Sequence, residues 1–364
     1  MKLTIVAGAR PNFMKIAPII KVIEEQQGKG RDLEYRLVHT GQHYDPNLSE
    51  SFFKDLGIPL PHINLDVKSG SQAEQTAAIM MGFERDLRDN PTDLVMVVGD
   101  VNSTMACTIV AKKAGVQVAH VEAGIRSGDM SMPEEINRIV TDSLTDYFFT
   151  TSKYANQNLK HVGIGDDQIF FVGNVMIDTL LQHQSNFTPP KIWHSLDLSA
   201  KSYLVMTLHR PSNVDQELQL KDLIAAIIEN SRNHPIIFPV HPRTRKVLER
   251  LDINYPNLHY VEPLGYFEFN YLVQHAVGVL TDSGGITEET TVLHIPCITL
   301  RENTERPETC EIGTNRLVGH NKKLLSRALD DLLNGSWPTG EIPELWDGFA
   351  ANRIVNHLIS LYLR

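Results

Sequence analysis

Short apolar runs alternate with longer helical patterns along this chain, and that alternation leaves few architectures open. In the first half the runs Leu3–Ala7, Tyr35–Thr40, Leu94–Val98, Gln117–Val121, Tyr147–Thr151 and Ile169–Val172 have the length of strands. Helical patterns fill the intervals at Ile16–Gln27, Ala73–Asp89, Asn102–Ala114 and Glu134–Thr145. Strands separated by helices need right-handed crossovers, so they predict a parallel sheet covered on both faces. The continuous apolar character of the runs agrees with burial on both sides.

The rhythm then repeats. Strand patterns at Tyr203–Leu208, Ile236–Val240, Leu258–Val261, Val277–Thr281 and Pro296–Leu300 alternate with helices near Leu218–Ser231, Arg243–Arg250, Phe267–His275 and Ile286–Leu293. At 364 residues the chain exceeds the size at which one core usually keeps growing. The expectation is an α/β protein of two Rossmann-like, doubly wound domains with a ligand cleft between them. The boundary is placed at Gly173, giving residues 1–172 and 173–349. Residues 350–364 space Ile354, Leu358 and Leu361 like a helix that must dock on another surface.

Composition removes several function classes. A formal net charge of −10 argues against a nucleic-acid partner, whose footprint would be basic. The three cysteines, Cys107, Cys297 and Cys310, are widely spaced and odd in number, which fits inert thiols in a reducing compartment. The opening run breaks at Gly8-Ala9-Arg10-Pro11, too soon for a signal peptide, and no run approaches membrane-spanning length. A cytoplasmic location, with no membrane partner, is expected. The His39–His43 segment lies on a strand and loop, not on one helical face, so no metal site is expected.

Carboxylates mark the strand ends. Asp100 closes the run Leu94–Val98, Glu122 closes Gln117–Val121, and Glu134 and Glu135 open the next helix. In an open α/β sheet ligands bind outside the carboxyl ends of the strands, so these acids face a cleft. Asp100 could equally cap the helix after it, and acids in a first helical turn are favoured by the dipole anyway. The turn after the first strand places Arg10 and Lys15 near a helix N-terminus, where an anion is favoured. Ser283-Gly284-Gly285 opens a later helix, and its paired glycines would let backbone N–H groups approach a phosphate. Glu288 and Glu289, just inside that helix, would repel a phosphate, so at least one of them is better placed to accept from neutral hydroxyls such as those of a ribose. His209-Arg210 and His241-Pro242-Arg243 put cations at two further strand ends.

Together the segments GARPNFMKIAPI, TGQHYD, GDVNST, HVEAGIRSGDMSMPEEINR, TLHRPSN, HPRT, TDSGGITEE and TERPE resemble the non-hydrolysing UDP-N-acetylglucosamine 2-epimerases of bacteria and archaea. The likeness runs from Gly8 to Gly319 in family order. It implies a glycosyltransferase-B-like fold whose terminal helix crosses back to the first domain, a homodimer, and no added cofactor. It assigns catalysis to Asp100, Glu122, Glu134 and His209. Nucleotide contacts fall on Arg10, Lys15, His241, Phe269 (against the uracil), Ser283, Gly284, Gly285, Glu289 (at the ribose) and Arg306. Some bacterial members bind a second UDP-sugar as activator, and Gln42, His43, Arg210 and His241 match that contact, whereas Asp45 and Lys68–Ser71 depart from it. Asn12 and Pro211-Ser212 also depart from the commonest pattern.

The implied reaction inverts sugar carbon 2 of UDP-N-acetylglucosamine, giving UDP-N-acetylmannosamine for cell-surface polysaccharide. That carbon's hydrogen is not acidic, so UDP would leave as the proton is removed, forming a glycal, and re-add after proton return to the other face. Serving both faces demands more than one acid/base group. Competing expectations are a hydrolysing 2-epimerase, a 2-epimerase of a diacetamido-uronic acid UDP-sugar, a retaining glycosyltransferase and a non-catalytic nucleotide-sugar sensor.

Overall fold

The computed structural model describes residues 1–41, 53, 56–68, 70–240 and 242–362. They divide into two compact units, Met1–Gln182 with Glu344–Arg364, and His183–Pro343.

The first unit is built on strands β1 (Lys2–Ala7), β2 (Glu34–His39), β3 (Ile63–Asn64), β4 (Leu94–Val98), β5 (Gln117–Val121), β6 (Tyr147–Thr150) and β7 (Ile169–Phe171). All pair in parallel, in the order β3-β2-β1-β4-β5-β6-β7. The second unit carries β8 (Leu204–Thr207), β9 (Ile236–Pro239), β10 (Leu258–Val261), β11 (Gly278–Thr281), β12 (Cys297–Thr299) and β13 (Asn315–Leu317). These too are parallel, ordered β10-β9-β8-β11-β12-β13. Each sheet therefore reverses its winding once, between β1 and β4 in the first and between β8 and β11 in the second. In doubly wound folds that reversal opens a crevice at the strands' carboxyl ends.

Both units are Rossmann-like, with helices burying the sheet from each side. In the second, Leu204, Met206, Ile236 and Phe238 pack with Leu220, Ile224, Leu325 and Leu329 of the helices Glu217–Asn230 and Lys322–Leu333. Val205, Ile237 and Val279 point the other way, onto Leu272 and Val273 of the helix Tyr266–His275. This is the period-2 alternation of a strand buried on both faces.

The helix Ala350–Tyr362 belongs to the first unit, where it lies against the helix Arg10–Gly28. Asp178 caps it from a distance: its carboxylate accepts from the Ala350 and Ala351 N–H groups at 3.1 and 2.7 Å. Trp346, just before the helix, is buried and donates through Nε1 to the Thr151 carbonyl at 2.9 Å. These contacts move the boundary relative to the sequence reading. Gly173, expected at the junction, sits inside the first unit, where a Cβ would stand 2.0 Å from the Leu345 carbonyl oxygen. The helix Val175–His183 follows it there because Asp178 is one of its residues.

Candidate functional site

In the first unit one buried amide ties the two sides of the winding reversal together. Asn12 Oδ1 accepts from the Ala9 N–H (3.0 Å) in the turn after β1, and Nδ2 donates to the Val98 carbonyl (2.9 Å) at the end of β4. One turn further along the helix, Lys15 forms an ion pair with Glu122, their side chains 13% and 3% exposed. Gly99 lies beneath the pair with φ at +69°. A Cβ there would stand 3.1 Å from Lys15 Nζ, 3.2 Å from Asn12 Nδ2 and 3.4 Å from Glu122 Oε2.

Glu122 has a φ of 72°, a left-handed backbone that glutamate rarely adopts. Its N–H is held by the Phe149 carbonyl at 3.0 Å, and its flanks are held by the buried His120 and Asp142 with the half-buried Arg126. His120 bonds the Gly99 carbonyl through Nε2 (2.8 Å) and Asp142 through Nδ1 (2.7 Å). Asp142 in turn accepts from the Gly124 N–H (3.1 Å) and pairs with Arg126 (2.7 Å). Burial alone would raise the Asp142 carboxyl, but the hydrogen bonds and charges of His120 and Arg126 bring it below its ordinary value. Backbone strain of this kind persists only where the surroundings over-determine it, and it clusters at functional sites.

Asp100 pairs with Arg138, whose other arm takes Glu135 at 2.9 Å. Asn137 donates to the Asp100 carbonyl at 2.9 Å, so the helix Pro133–Leu144 is docked on the end of β4. The two adjacent acids that open this helix have different surroundings. Glu135 is buried and accepts from the Ser127 and Gly128 N–H groups at 2.9 and 3.1 Å. Burial would raise its carboxyl, yet those donors and Arg138 hold it below the usual range. Glu134 is half-buried, on the face of the helix that carries Arg138 one turn later.

In the second unit, the fully buried Asp282 organises the reversal between β8 and β11. It accepts from the His209 and Arg210 N–H groups (3.1 and 3.0 Å), from His209 Nδ1 (2.7 Å) and from Asn213 Nδ2 (2.9 Å). Burial opposes its ionisation, but the His209 and Asn213 donors pull its carboxyl below the ordinary value. Arg210 returns a bond from Nε to the Asp282 carbonyl (3.0 Å) and reaches Glu305 at 3.4 Å. Glu305 is gripped by Arg301 at 2.6 Å.

Ser283 precedes the helix Gly284–Val292 but makes no side-chain capping bond to it. A Cβ added at Gly285 would meet nothing within 4 Å. The helix therefore starts with open space at Gly285 and a serine hydroxyl that does not cap it, and the first N–H groups of any helix lack intrahelical partners, the features that hold an anion. Behind the turn, Glu288 is buried against Arg306. Glu289 accepts from the Tyr266 hydroxyl at 2.8 Å, and burial pushes its carboxyl up to about 7 against that bond, with Glu288 adding to the rise. Burial likewise lifts the Glu308 carboxyl to about 7. Phe269 is half-buried on the helix Tyr266–His275.

The family model described as UDP-N-acetylglucosamine 2-epimerase matches residues 26–359. The chain belongs to the UDP-N-acetylglucosamine 2-epimerase family. A UDP-N-acetylglucosamine 2-epimerase of Methanocaldococcus jannaschii is 41% identical over 345 residues, covering 92% of this chain and 93% of the relative. A UDP-2,3-diacetamido-2,3-dideoxy-D-glucuronate 2-epimerase of Pseudomonas aeruginosa is 38% identical over 364 residues, covering 99% and 100%. The crystal structure of the M. jannaschii UDP-GlcNAc 2-epimerase in complex with UDP-GlcNAc and UDP superimposes with a TM-score of 0.88 at 39% identity, covering 99% of this chain and 100% of that one. The fold is thus the glycosyltransferase-B-like one, with two Rossmann-like units.

Among the residues that the epimerase resemblance singles out, Asp100, Glu122, Glu134, Arg10 and Lys15 all lie at the carboxyl edge of the first sheet or on the helices entering it. His209, Arg210, Ser283, Gly284, Gly285 and Glu289 gather at the reversal of the second sheet, and Arg306 faces the same helix through Glu288. Lys15 lies one full turn inside its helix, against Glu122, rather than at the helix start. Gln42, His43 and His241 lie outside the described residues. Among the described residues no group of three His, Cys, Asp or Glu side chains is arranged to hold a metal, and no helix is long and apolar enough to cross a membrane.

Sequence reasoning assigned no role to Asp282, Asn12, Arg138 or the trio His120, Asp142 and Arg126. Asp282 carried a signal of its own, an acid directly after an apolar strand and directly before a Ser-Gly-Gly turn. The others also meet partners far along the chain: Asn12 the Val98 carbonyl, Arg138 the Asp100 carboxylate and His120 the Asp142 carboxylate.

Proposed function

We propose that this protein interconverts UDP-N-acetylglucosamine and UDP-N-acetylmannosamine by inverting sugar carbon 2, retaining UDP rather than hydrolysing it. The observation that carries the reading is Glu122, held in a left-handed conformation at the end of β5 and paired with the partly buried Lys15, with Asp100 just past the end of the neighbouring strand β4. In this reading Asp100, Glu122 and Glu134 exchange the carbon 2 proton on the two faces of the sugar. Lys15 and Arg138 hold two of those carboxylates in fixed positions, a pre-organisation that proton transfer at a weakly acidic carbon requires.

UDP would seat its diphosphate on Ser283 and the N-terminus of Gly284–Val292, with His209 and Arg10 countering the charge that builds as it departs. Phe269 would lie on the uracil and Glu289 near the ribose. A carboxyl that titrates near neutrality can accept from a hydroxyl or donate to one. No cofactor is called for, since elimination and re-addition leave the sugar's oxidation state unchanged overall. We read the enzyme as a cytoplasmic homodimer; the exposed side chains of Met81, Ile136 and Ile139 on its first unit supply apolar surface for a second copy.

The test is incubation with UDP-N-acetylglucosamine in heavy water, followed by NMR of the sugar. The expected product mixture holds both epimers, deuterium at carbon 2 and intact UDP linkages. Accumulation of free N-acetylmannosamine with UDP would overturn the retention of UDP, and undeuterated substrate would overturn the chemistry. The near-full-length likeness to the Pseudomonas aeruginosa diacetamido-glucuronate enzyme supports a second reading, in which the sugar carries a 3-acetamido group and a carboxylate. Running the same assay with that nucleotide decides between them by relative kcat/KM.

A further inference from the structure

We infer that Asp282 is a positioning residue that holds the His209 ring through its Nδ1–H, so that Nε2 is the atom presented to the nucleotide's diphosphate and, on the protonated ring, donates to it. The inference deepens the proposed epimerase reading and rests on the placement of His209 at the diphosphate. Three observations carry it.

The first is geometric. His209 Nδ1 lies 2.7 Å from Asp282 Oδ1, a distance at which the nitrogen must be the donor because the carboxylate is an acceptor only. The second is that Asp282 cannot turn away. Its side chain is fully buried, and the His209 N–H (3.1 Å), the Arg210 N–H (3.0 Å) and Asn213 Nδ2 (2.9 Å) fill its remaining lone pairs. Asn213 is itself locked, since the same Nδ2 also lies 3.2 Å from the Leu300 carbonyl. The third is the contrast in exposure. The His209 side chain is 62% exposed while its partner is 0% exposed. The ring is thus anchored at one nitrogen and open at the other, and no protein group bonds Nε2 among the described residues.

A free imidazole prefers its proton on Nε2, so this arrangement reverses the solution preference. It does so beside the start of Gly284–Val292, because Asp282 is followed directly by Ser283 and Gly284 in the chain. The acid that orients the ring is thus the residue that leads directly into the turn proposed to seat the diphosphate. In the serine proteases an aspartate plays the same orienting part, and its loss drops kcat by about 10⁴ through the wrong tautomer.

The first measurement needs no variant. Two-bond ¹H–¹⁵N spectra of the ¹⁵N-histidine-labelled protein, with His209 assigned from the signals absent in His209→Asn, report the tautomer at a pH where the ring is neutral. An Nδ1–H pattern is expected; an Nε2–H pattern overturns the proposal whether or not the protein is an epimerase. The second measurement is a double-mutant cycle on carbon 2 exchange. Asp282→Asn should lower kcat on the order of 10²–10⁴-fold in the wild-type background and cost nothing further in the His209→Asn background. Additive losses would mean that Asp282 acts through the fold alone. His209→Gln, whose amide nitrogen reaches toward the Nε2 position, should retain more activity than His209→Asn, whose amide lies near Nδ1; the reverse order would assign the working nitrogen to Nδ1 and overturn the inference.

Discussion

Replacing Gly99 by alanine should separate backbone strain from disruption of the acid site. The residue has a φ of +69°, and the added Cβ would approach Lys15 Nζ, Asn12 Nδ2 and Glu122 Oε2 at 3.1–3.4 Å. The left-handed backbone alone costs an L-residue about 1–2 kcal/mol, which lowers Tm by roughly 2–8 °C for a unit of 150–250 residues. Gly115 provides the control, because it has φ +76° and a Cβ there would meet nothing within 4 Å. Gly115→Ala should show the backbone term with wild-type turnover. Gly99→Ala carries the same term plus the displacement of a partly buried ion pair by a few tenths of an ångström. Overpacking of this sort adds about 1–3 kcal/mol, and the shifted Lys15–Glu122 pair should lower kcat/KM by about tenfold or more, equivalent to roughly 1.4 kcal/mol of transition-state stabilisation. Thermal melts read the first effect and deuterium uptake at carbon 2 reads the second. Equal melts and equal turnover in the two variants would refute the crowding argument.

The adjacent acids Glu134 and Glu135 should behave in opposite ways. Glu134→Gln should abolish carbon 2 exchange with an unchanged melt, whereas Glu135→Gln should lower Tm because it takes a charge from the Ser127 and Gly128 N–H groups and Arg138. Arg306→Met should destabilise the second unit by about 3–5 kcal/mol in urea titration, since it removes the guanidinium from a carboxylate 1% exposed. The pH dependence of Tm follows from two groups of acids. Asp178, Glu289 and Glu308 are raised to about 6, 7 and 7, so the folded state holds their protons more tightly than the unfolded state. Their contribution is fully present below the ordinary carboxylate range and is lost as pH rises through 6–7. Glu135, Asp142 and Asp282 are lowered, so their contribution is present above the ordinary range and is lost as pH falls through their folded values. Tm should therefore peak near about pH 5, and Asp178→Asn should flatten the decline between that peak and neutrality; a Tm still rising from pH 5 to 7 would contradict the assignment.

Three strands were legible in the sequence to the residue. Leu94–Val98, Gln117–Val121 and Leu258–Val261 fall where their composition puts them, residue for residue. The edge strands Ile63–Asn64 and Asn315–Leu317 escaped notice because a two- or three-residue strand has no periodicity to read. The first helix begins at Arg10 rather than Ile16. Gly-Ala-Arg-Pro-Asn reads as a turn, yet proline is tolerated in a helix's first turn, where its missing N–H has no partner to lose. The stretch Gln182–Ser199, which has no strand rhythm, holds the short helix Lys191–Ser195. The site divides similarly. Acids at strand ends announced Asp100 and Glu122, but Arg138 and Asp282 meet partners 38 and 73 positions away, and only the assembled sheets bring those pairs together.

The long return of the last helix has a consequence for how the chain is made. Residues His183–Pro343 form one uninterrupted stretch, whereas the first unit needs Trp346 and the helix Ala350–Tyr362, which emerge only after that stretch. At about 5–20 residues per second, the ribosome leaves Asp178 waiting roughly ten seconds or more for the N–H groups it caps. During that interval the apolar face covered by Ile354, Val355 and Leu358 stays bare, and the half of the molecule synthesised first is the half finished last.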